Sequence, residues 1–318
     1  MSLSPEFVTL AERLRNWGRW GDDDQSGCAN LIDSAAVQRG VAAMMSGDRY
    51  SLALPLQRDG VQIGQPAGRY NVVLTTTSLN ERDKMSPGLW EGTDDMISMS
   101  TCAATHVDSL SHIGYDGQLY GGRPQTSNTA SSGATWCGAE HLGSIVTRGL
   151  LVDLPAIRGV DELDPGTAVT AADLERAIVG SGVTPLPGDV VCVRTGEMRH
   201  YLSGDRRRYA VGVDWKLTGM GLTCAEWFAD HGIAGAFIDT YAYEVMPPES
   251  GNWDDMLVVH MIQLRDMGML QGQNWNFEGL AGACRSDEGA RTVEFLLLAA
   301  PEPIVGATSA PVHPVAVR

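Results

Sequence analysis

One short segment of the chain concentrates the residues that could do chemistry, Thr105-His106-Val107-Asp108-Ser109-Leu110-Ser111-His112. His106 and Asp108 are two positions apart, so an extended backbone puts both side chains on one face. His112 follows Asp108 by four positions, a spacing at which a turn can bring it back to the same place. Imidazole and carboxylate are common zinc ligands, and manganese also accepts carboxylate. A structural His–Asp pair in a loop fits the spacing equally well, so the pattern alone leaves a metal site, catalysis and a structural pair open.

Five further residues are candidates for a substrate pocket. Asp239 and Glu244 lie in an acidic block after a buried apolar run, where a strand-end carboxylate can act as acid or base. A loop-capping Asp and a solvated Glu are the alternative interpretation. Trp17 and Trp20 stand in an acidic, glycine-containing loop, where they either line an aromatic pocket or pack at the edge of the domain. Tyr120 lies in a second loop that could contribute to the pocket.

Strands and helices are interspersed along the chain, which predicts an α/β protein. Four helices are predicted from residues that can cap a helix N-terminus. Ser4 precedes a helix that ends near Asn16, and Ser34 precedes the helix Ala35–Met45. Thr170 precedes the helix Ala171–Val179, and Thr223 precedes the helix Cys224–Asp230. The predicted strands are Tyr50–Leu54, Tyr70–Thr76, Met96–Thr101, Gly149–Leu154, Asp189–Thr195, Ile233–Ile238 and Phe295–Ala299. No long linker divides these elements. We therefore expect a single domain over residues 1–318, with residues 1–48 forming a helical arm packed on it.

Composition narrows the class of protein. The chain has 318 residues and a formal net charge of −16, which argues against nucleic acid or an anionic membrane as a partner. No run of about 18 apolar residues is present, and the N-terminus lacks the pattern of a signal peptide, so we expect a cytoplasmic protein without a membrane span. The six cysteines, at positions 28, 102, 137, 192, 224 and 284, form no CxxC pair, which argues against a disulfide framework.

The reactive segment also resembles a known signature. Cys102-Ala103-Ala104-Thr105-His106-Val107-Asp108, followed by His112, is similar to the pattern H-x-G-T-H-x-D-x-x-x-H of the cyclase family, whose best-known members are bacterial kynurenine formamidases. Other blocks in family order include Asn16-Trp17-Gly18-Arg19-Trp20-Gly21, Leu119-Tyr120-Gly121-Gly122, Gly188-Asp189-Val190-Val191, Asp239–Glu244, His260 and Gly272–Leu280. The chain resembles the longer branch of this family over nearly its whole length.

The resemblance implies a fold, an assembly and a metal site. The fold is the swivelling β/β/α fold of the cyclase family, usually found in a homodimer or homotetramer. The metal site of the family often holds two ions. Position by position, the family's ligands fall on Cys102, His106, Asp108, His260 and Gln273. The last signature histidine, a general acid/base in the formamidases, falls on His112.

Two of these positions depart from the family pattern, since Cys102 replaces a histidine and Gln273 replaces a glutamate. An amide supplies no negative charge to a cation, so we expect at most one divalent metal, zinc or manganese, or none. For Cys102 three interpretations stay open: a buried side chain filling the space of a histidine, a zinc ligand, or a nucleophile with a neighbouring histidine as its base.

We expect an enzyme that acts on a small molecule. The first hypothesis is a cyclase-family enzyme with a degenerate metal site, which uses His112, His106 and Asp108 for acid–base chemistry at a carbonyl to close or rearrange a ring. The alternative is a metal-dependent hydrolase of a small amide, lactam or lactone. A catalytically silent relative that only binds a ligand is the third possibility.

Overall fold

The computed structural model describes residues 3–66, 68–81, 90–288 and 292–318. Its strands are β1 (Arg49–Ser51), β2 (Val73–Glu81), β3 (Gly92–Ser98), β4 (His106–Asp108), β5 (Asn128–Thr129), β6 (Gly133–Ala134), β7 (Ile145–Asp153), β8 (Ala168–Val169), β9 (Val190–Arg194), β10 (Gly219–Met220), β11 (Gly235–Ile238), β12 (Leu270–Gln273), β13 (Val293–Ala299), β14 (Ser309–Pro311) and β15 (Val315–Val317). Its α-helices are α1 (Pro5–Leu14), α2 (Ser34–Ala42), α3 (Leu154–Arg158), α4 (Ala171–Ile178), α5 (Met198–Leu202), α6 (Arg206–Val211), α7 (Cys224–His231), α8 (Val258–His260) and α9 (Glu278–Glu288).

A mixed nine-stranded sheet organises the molecule, with the strand order β1-β15-β13-β7-β9-β11-β12-β4-β14. The central strands β7, β9, β11 and β12 are parallel to their neighbours in this series. The strands outside them pair antiparallel. Helices and strands alternate around this sheet, so the predicted α/β class is confirmed.

Both faces of the central sheet are covered, because alternate residues of each strand point to opposite sides. On β9, Val191 and Val193 belong to a core that also contains α1, α4 and α7 residues. Val190 and Cys192 belong to a second core on the other face, where Phe237 and Trp275 stack with their ring centroids 4.1 Å apart. The apolar run at 189–195 is therefore the doubly covered strand that its composition predicted.

The helix starts agree with the sequence in two places and differ in two. Ser4 caps α1 through its hydroxyl, and Thr170 forms a capping box with Asp173 at α4. The prediction of Ser34 as a cap is wrong, because Asp33 accepts the hydrogen bond from Ala36 N and Ser34 is the first helical residue. Thr223 precedes α7 as predicted, but it has helical backbone angles and makes no capping bond from its side chain.

The N-terminal helices pack on the body of the protein. Phe7 and Ala11 of α1 are completely buried in the first core. The α2 helix lies on β7 and β13, where Gly40 permits close approach because an added Cβ would come within 2.8 Å of the Thr147 backbone.

All six cysteines lie within the described residues, are buried and form no disulfide. Within the same part of the chain, no helix is long and apolar enough to cross a membrane.

Candidate active site

The site is built around β4, which carries His106 and Asp108 into the sheet between β12 and β14. Both side chains project from one face of the strand, as their spacing predicted. On β12, Gln271 pairs with Asp108 and Gln273 pairs with His106. The intervening Gly272 has no side chain, and a Cβ there would come within 2.6 Å of the His106 carbonyl oxygen. The strand pair therefore presents two glutamines to the histidine and aspartate.

Asp108 is the centre of the cluster and is completely buried. Its Oδ1 atom lies 3.5 Å from His106 Nε2 and 3.9 Å from His112 Nε2. This Oδ1 atom has no hydrogen-bond partner among the described residues. Burial alone would raise the pKa of Asp108, but the three histidines of the cluster and Arg69 outweigh it and lower that pKa. Asp108 is therefore an ionised carboxylate with one oxygen available to a ligand.

The tautomer of His106 follows from its contact with the backbone. His106 Nδ1 lies 2.8 Å from the carbonyl oxygen of Ala104, which can only accept, so Nδ1 carries the proton. The lone pair on Nε2 then faces Asp108. Burial lowers the pKa of His106 and favours this neutral form. His106 Nε2 and Asp108 Oδ1 thus face each other as two acceptors with no donor between them.

His260 enters the cluster from α8 and is held by Glu244. The Glu244 carboxylate accepts hydrogen bonds from His260 Nδ1 and from the backbone N–H groups of Val259 and His260. A π-helical turn, Met261–Asp266, follows immediately, and such turns are frequent at functional sites. Glu244, a candidate for the substrate pocket, is therefore a positioning residue behind His260.

The amide of Gln273 connects Asp108 to His260. Its Nε2 atom donates to Asp108 Oδ2 at 3.0 Å and to His260 Nε2 at 3.1 Å. Both amide hydrogens are thereby used on two acceptors. Gln271 adds a longer contact of 3.4 Å to the same Asp108 oxygen. A neutral NH₂ group thus connects the two side chains that a cation would otherwise connect.

His112 is the member of the cluster closest to solvent, with 16 % of its side chain exposed. Its backbone N–H donates to the Ser109 carbonyl in the turn after β4, which brings the ring back to Asp108. Burial lowers the pKa of His112, while Asp108 acts in the opposite direction. A neutral, partly accessible imidazole beside a carboxylate can accept and return a proton near neutral pH.

These residues fit one divalent ion at most. Among the described residues, no group of three His, Cys, Asp or Glu side chains is arranged to hold a metal. The separation of His106 Nε2 from Asp108 Oδ1 nevertheless matches the ~3.4 Å expected between neighbouring ligand atoms of tetrahedral zinc. The position between Asp108 and His260 is filled by the Gln273 amide. Any ion would therefore be held by His106 and Asp108, where it would polarise a carbonyl or activate water.

Cys102 lies before this cluster in the chain and is buried. Its carbonyl oxygen accepts a hydrogen bond of 3.0 Å from Gln62 Nε2. Burial raises the pKa of the Cys102 thiol, which favours the protonated form over the thiolate that a metal ligand or nucleophile requires.

Three other predicted pocket residues, Trp17, Trp20 and Tyr120, contact residues outside the cluster around Asp108. The indole N–H of Trp17 donates to the Arg265 carbonyl, and Trp20 packs beside the guanidinium of Arg19. Tyr120 is buried and donates its hydroxyl to Asp24.

Asp239 is also completely buried. It accepts hydrogen bonds from the backbone N–H groups of Thr195 and Gly196 and from the Thr195 hydroxyl. These bonds connect the end of β11 to the loop that follows β9, so Asp239 holds two strand ends together.

Sequence reasoning did not single out Gln271. The available signal was its spacing of two from Gln273, which places both amides on one face of β12.

The family described as "Putative cyclase" matches residues 50–245, and the chain therefore belongs to the cyclase family. A solved structure described as a novel cyclase is 32 % identical, covers 100 % of both chains and has a TM-score of 0.85. No curated protein matches the chain.

Two isatin hydrolases share the fold at lower identity. One, bound to the product analogue thioisatinate, is 15 % identical over 90 % of this chain and 98 % of its own, with a TM-score of 0.61. Isatin hydrolase A from Ralstonia solanacearum is 17 % identical over 89 % of this chain and 95 % of its own, with a TM-score of 0.61. The expected cyclase-family fold is thus confirmed.

Proposed function

We propose that this protein is an acid–base enzyme that makes or breaks the bond between a carbonyl carbon and a ring nitrogen or oxygen in a small molecule. The observation that carries the proposal is the Gln273 amide, which connects Asp108 to His260 where the family pattern has a metal-binding glutamate. With this position taken by a neutral donor, the remaining chemistry rests on His112 and Asp108.

In the ring-opening direction, water adds to the carbonyl carbon and gives a proton to His112 Nε2. The bond from the carbonyl carbon to the ring nitrogen or oxygen then breaks, and His112 returns that proton to the leaving atom. Asp108 stabilises the imidazolium that exists between these two transfers. Ring closure is the same sequence in reverse and releases water. In either direction His112 begins and ends the reaction as a neutral imidazole.

A hydrolase that uses one metal ion is the second candidate, and a different observation favours it. His106 Nε2 and Asp108 Oδ1 are two acceptors 3.5 Å apart, and Asp108 Oδ1 has no donor among the described residues. A divalent ion would satisfy both atoms. It would lower the pKa of a bound water, and His112 would protonate the leaving nitrogen or oxygen.

The two candidates differ in their response to a chelator. Protein purified without chelator would be assayed on small lactams, lactones and their open-chain acids, with isatin included because two proteins of the same fold are named for its hydrolysis. We expect turnover that persists after dialysis against EDTA and falls by about 10²-fold or more in His112→Gln. His313→Gln is the matched control, since His313 is an exposed histidine that contacts Ser51.

Three results would contradict the proposal. Turnover that disappears with EDTA and returns with zinc or manganese would establish the one-metal hydrolase instead. Unchanged turnover in His112→Gln would exclude His112 as the proton carrier. Binding without turnover on the whole panel would indicate a catalytically silent relative.

A further inference from the structure

The ring of His112 reaches Asp108 because the backbone turns back after β4. The His112 N–H group closes this turn by donating to the Ser109 carbonyl at 2.9 Å. The Ser109 N–H group donates to the Thr308 carbonyl at 3.0 Å, and the hydroxyls of Ser109 and Ser111 are 2.8 Å apart. Both serines are completely buried. These contacts hold the start of the turn, so the placement of His112 depends on what holds Ser111.

Asn128, at the start of β5, holds the Ser111 end of the turn. Its side-chain amide donates to the Ser111 carbonyl at 2.9 Å, immediately before His112. Because a carbonyl can only accept, this contact fixes which way the Asn128 amide faces. The Asn128 Oδ1 atom is then buried and has no hydrogen-bond partner among the residues that the structure describes. A buried unpaired oxygen costs free energy, and its presence calls for a role of the amide donor.

The hairpin of β5 and β6 is itself anchored to the segment that leads into β14. Ala134 N donates to the Gly306 carbonyl at 2.8 Å. A Cβ at Gly133 would come within 2.1 Å of the Gly306 carbonyl oxygen, and the two glycines have φ angles of 68° and 75°. The Thr308 carbonyl, which accepts from the turn, lies two residues further along. The same segment therefore anchors both the turn and the hairpin that carries Asn128.

We propose that Asn128 is a positioning residue for the proton carrier His112, an inference that rests on the proposed function for the role of His112. Its N–H group acts through the backbone of Ser111. The His112 ring lies 3.9 Å from Asp108 Oδ1, a separation too long for a hydrogen bond to hold it in place. Proton transfer requires the ring to stay within reach of the reacting atom, and a displacement of about 1 Å can cost about 10²-fold in rate.

Two substitutions of Asn128 test this role on the best substrate of the panel described under Proposed function. Asn128→Ala removes the donor, and Asn128→Asp removes it while keeping the shape of the side chain. In both variants we expect kcat to fall by about tenfold or more with little change in KM. In the His112→Gln background the same substitutions should make no further difference, because the group that Asn128 positions is absent. A role in stability alone would not produce this dependence on His112.

Gly133→Ala reaches the same contact by another route. The added Cβ would displace the hairpin from Gly306, so kcat should fall as in the Asn128 variants. Gly143→Ala is its control, since Gly143 has a φ of 69° and open space around its Cβ position. Asn30→Ala is the control for Asn128, because its amide also donates to a backbone carbonyl at 2.9 Å, in another loop. Neither control should change kcat.

A second measurement does not depend on turnover. The His112 N–H group closes the turn on Ser109, so its hydrogen exchange, followed by NMR, reports how often the turn opens. In Asn128→Ala we expect this exchange to become about tenfold faster or more, while the exchange of the β9 amides stays the same. Unchanged exchange of the His112 N–H group would show that Asn128 does not restrain the turn.

The outcomes for Asn128 and for the proposed function can be told apart. Unchanged kcat in Asn128→Ala, alongside an impaired His112→Gln, would overturn the positioning role. An equal fall in kcat in the wild-type and His112→Gln backgrounds would do the same, since Asn128 would then act through another group. If His112→Gln leaves turnover unchanged, the proposed function fails, whereas faster exchange of the His112 N–H group in Asn128→Ala still supports the restraint on the turn.

Discussion

At the scale of single residues, the site is defined by which atoms hold protons. Asp108 faces three imidazoles and two amides, and its Oδ2 atom is satisfied by Gln273 while Oδ1 has no donor. The Ala104 carbonyl and the Glu244 carboxylate fix the tautomers of His106 and His260 from behind. Such outer partners orient histidines in catalytic and metal sites alike. The identity of residue 273 therefore decides which kind of site this is.

The variant Gln273→Glu tests that conclusion. A carboxylate at this position would lose both donated hydrogen bonds and bring a second negative charge to Asp108. We expect the variant to be less stable than the wild type in EDTA, by about 1–3 kcal/mol. Zinc or manganese should raise its melting temperature more than that of the wild type, because the ion would be held by two carboxylates and His260. Differential scanning fluorimetry with and without metal measures both effects.

Gln57→Glu is the control for that experiment, since Gln57 contacts the Tyr201 hydroxyl outside the cluster. If Gln273→Glu melts at the wild-type temperature in EDTA and does not respond to metal, the amide bridge contributes nothing to the site.

The pH dependence of turnover tests the role of His112. Burial lowers the pKa of His112 below its ordinary value of 6.5, and the ring must be neutral to accept a proton. We therefore expect kcat/KM to rise with pH and reach a plateau, with the midpoint of the rise below pH 6.5. The profile is measured on the best substrate of the panel. A midpoint clearly above 6.5, or an unchanged acidic limb in a residually active His112→Gln, would show that another group titrates.

At the scale of secondary structure, the sequence predicted the elements better than their ends. The β9 run, the helix cap at Thr170 and the one-sided pair His106 and Asp108 depend on local patterns, and all three are present. The junction of β4 with β12 depends on strand pairing across more than 160 residues. No local pattern encodes such pairing, so the contact between Gln271 and Asp108 could not be predicted.

Asp239 provides a prediction at this scale. Its carboxylate receives three hydrogen bonds from Thr195 and Gly196, which connect β11 to the loop after β9. In Asp239→Asn the amide would direct its N–H group at a backbone N–H group and leave one donor unpaired. We expect a loss of about 1–3 kcal/mol in the free energy of unfolding. Urea denaturation measures it, with the exposed Asp230→Asn as control. Equal midpoints for the two variants would exclude this anchoring role.

At the scale of the whole molecule, the most unusual feature is the ribbon formed by β2 and β3. This two-stranded antiparallel pair is separate from the nine-stranded sheet, and most of its described residues are exposed. Leu74 and Ile97 face each other in register and are each more than half exposed. Ile97 also lines an apolar groove of about 730 Å³ together with Leu56 and Ile304. A two-stranded ribbon alone is marginally stable in water, and exposed apolar side chains of this kind are typical of a surface that binds a partner.

A second copy of the chain is the partner we predict, since a two-fold axis would place each ribbon on the groove of the other copy. Size-exclusion chromatography with light scattering should give the mass of a dimer or a larger even assembly for the wild type. The double variant Leu74→Asp/Ile97→Asp should shift that mass towards a single chain, because it buries charge at the contact. Val41→Asp, at an exposed apolar position on α2, should leave the mass unchanged. A wild-type mass of one chain at micromolar concentration would mean that the ribbon and groove serve another purpose.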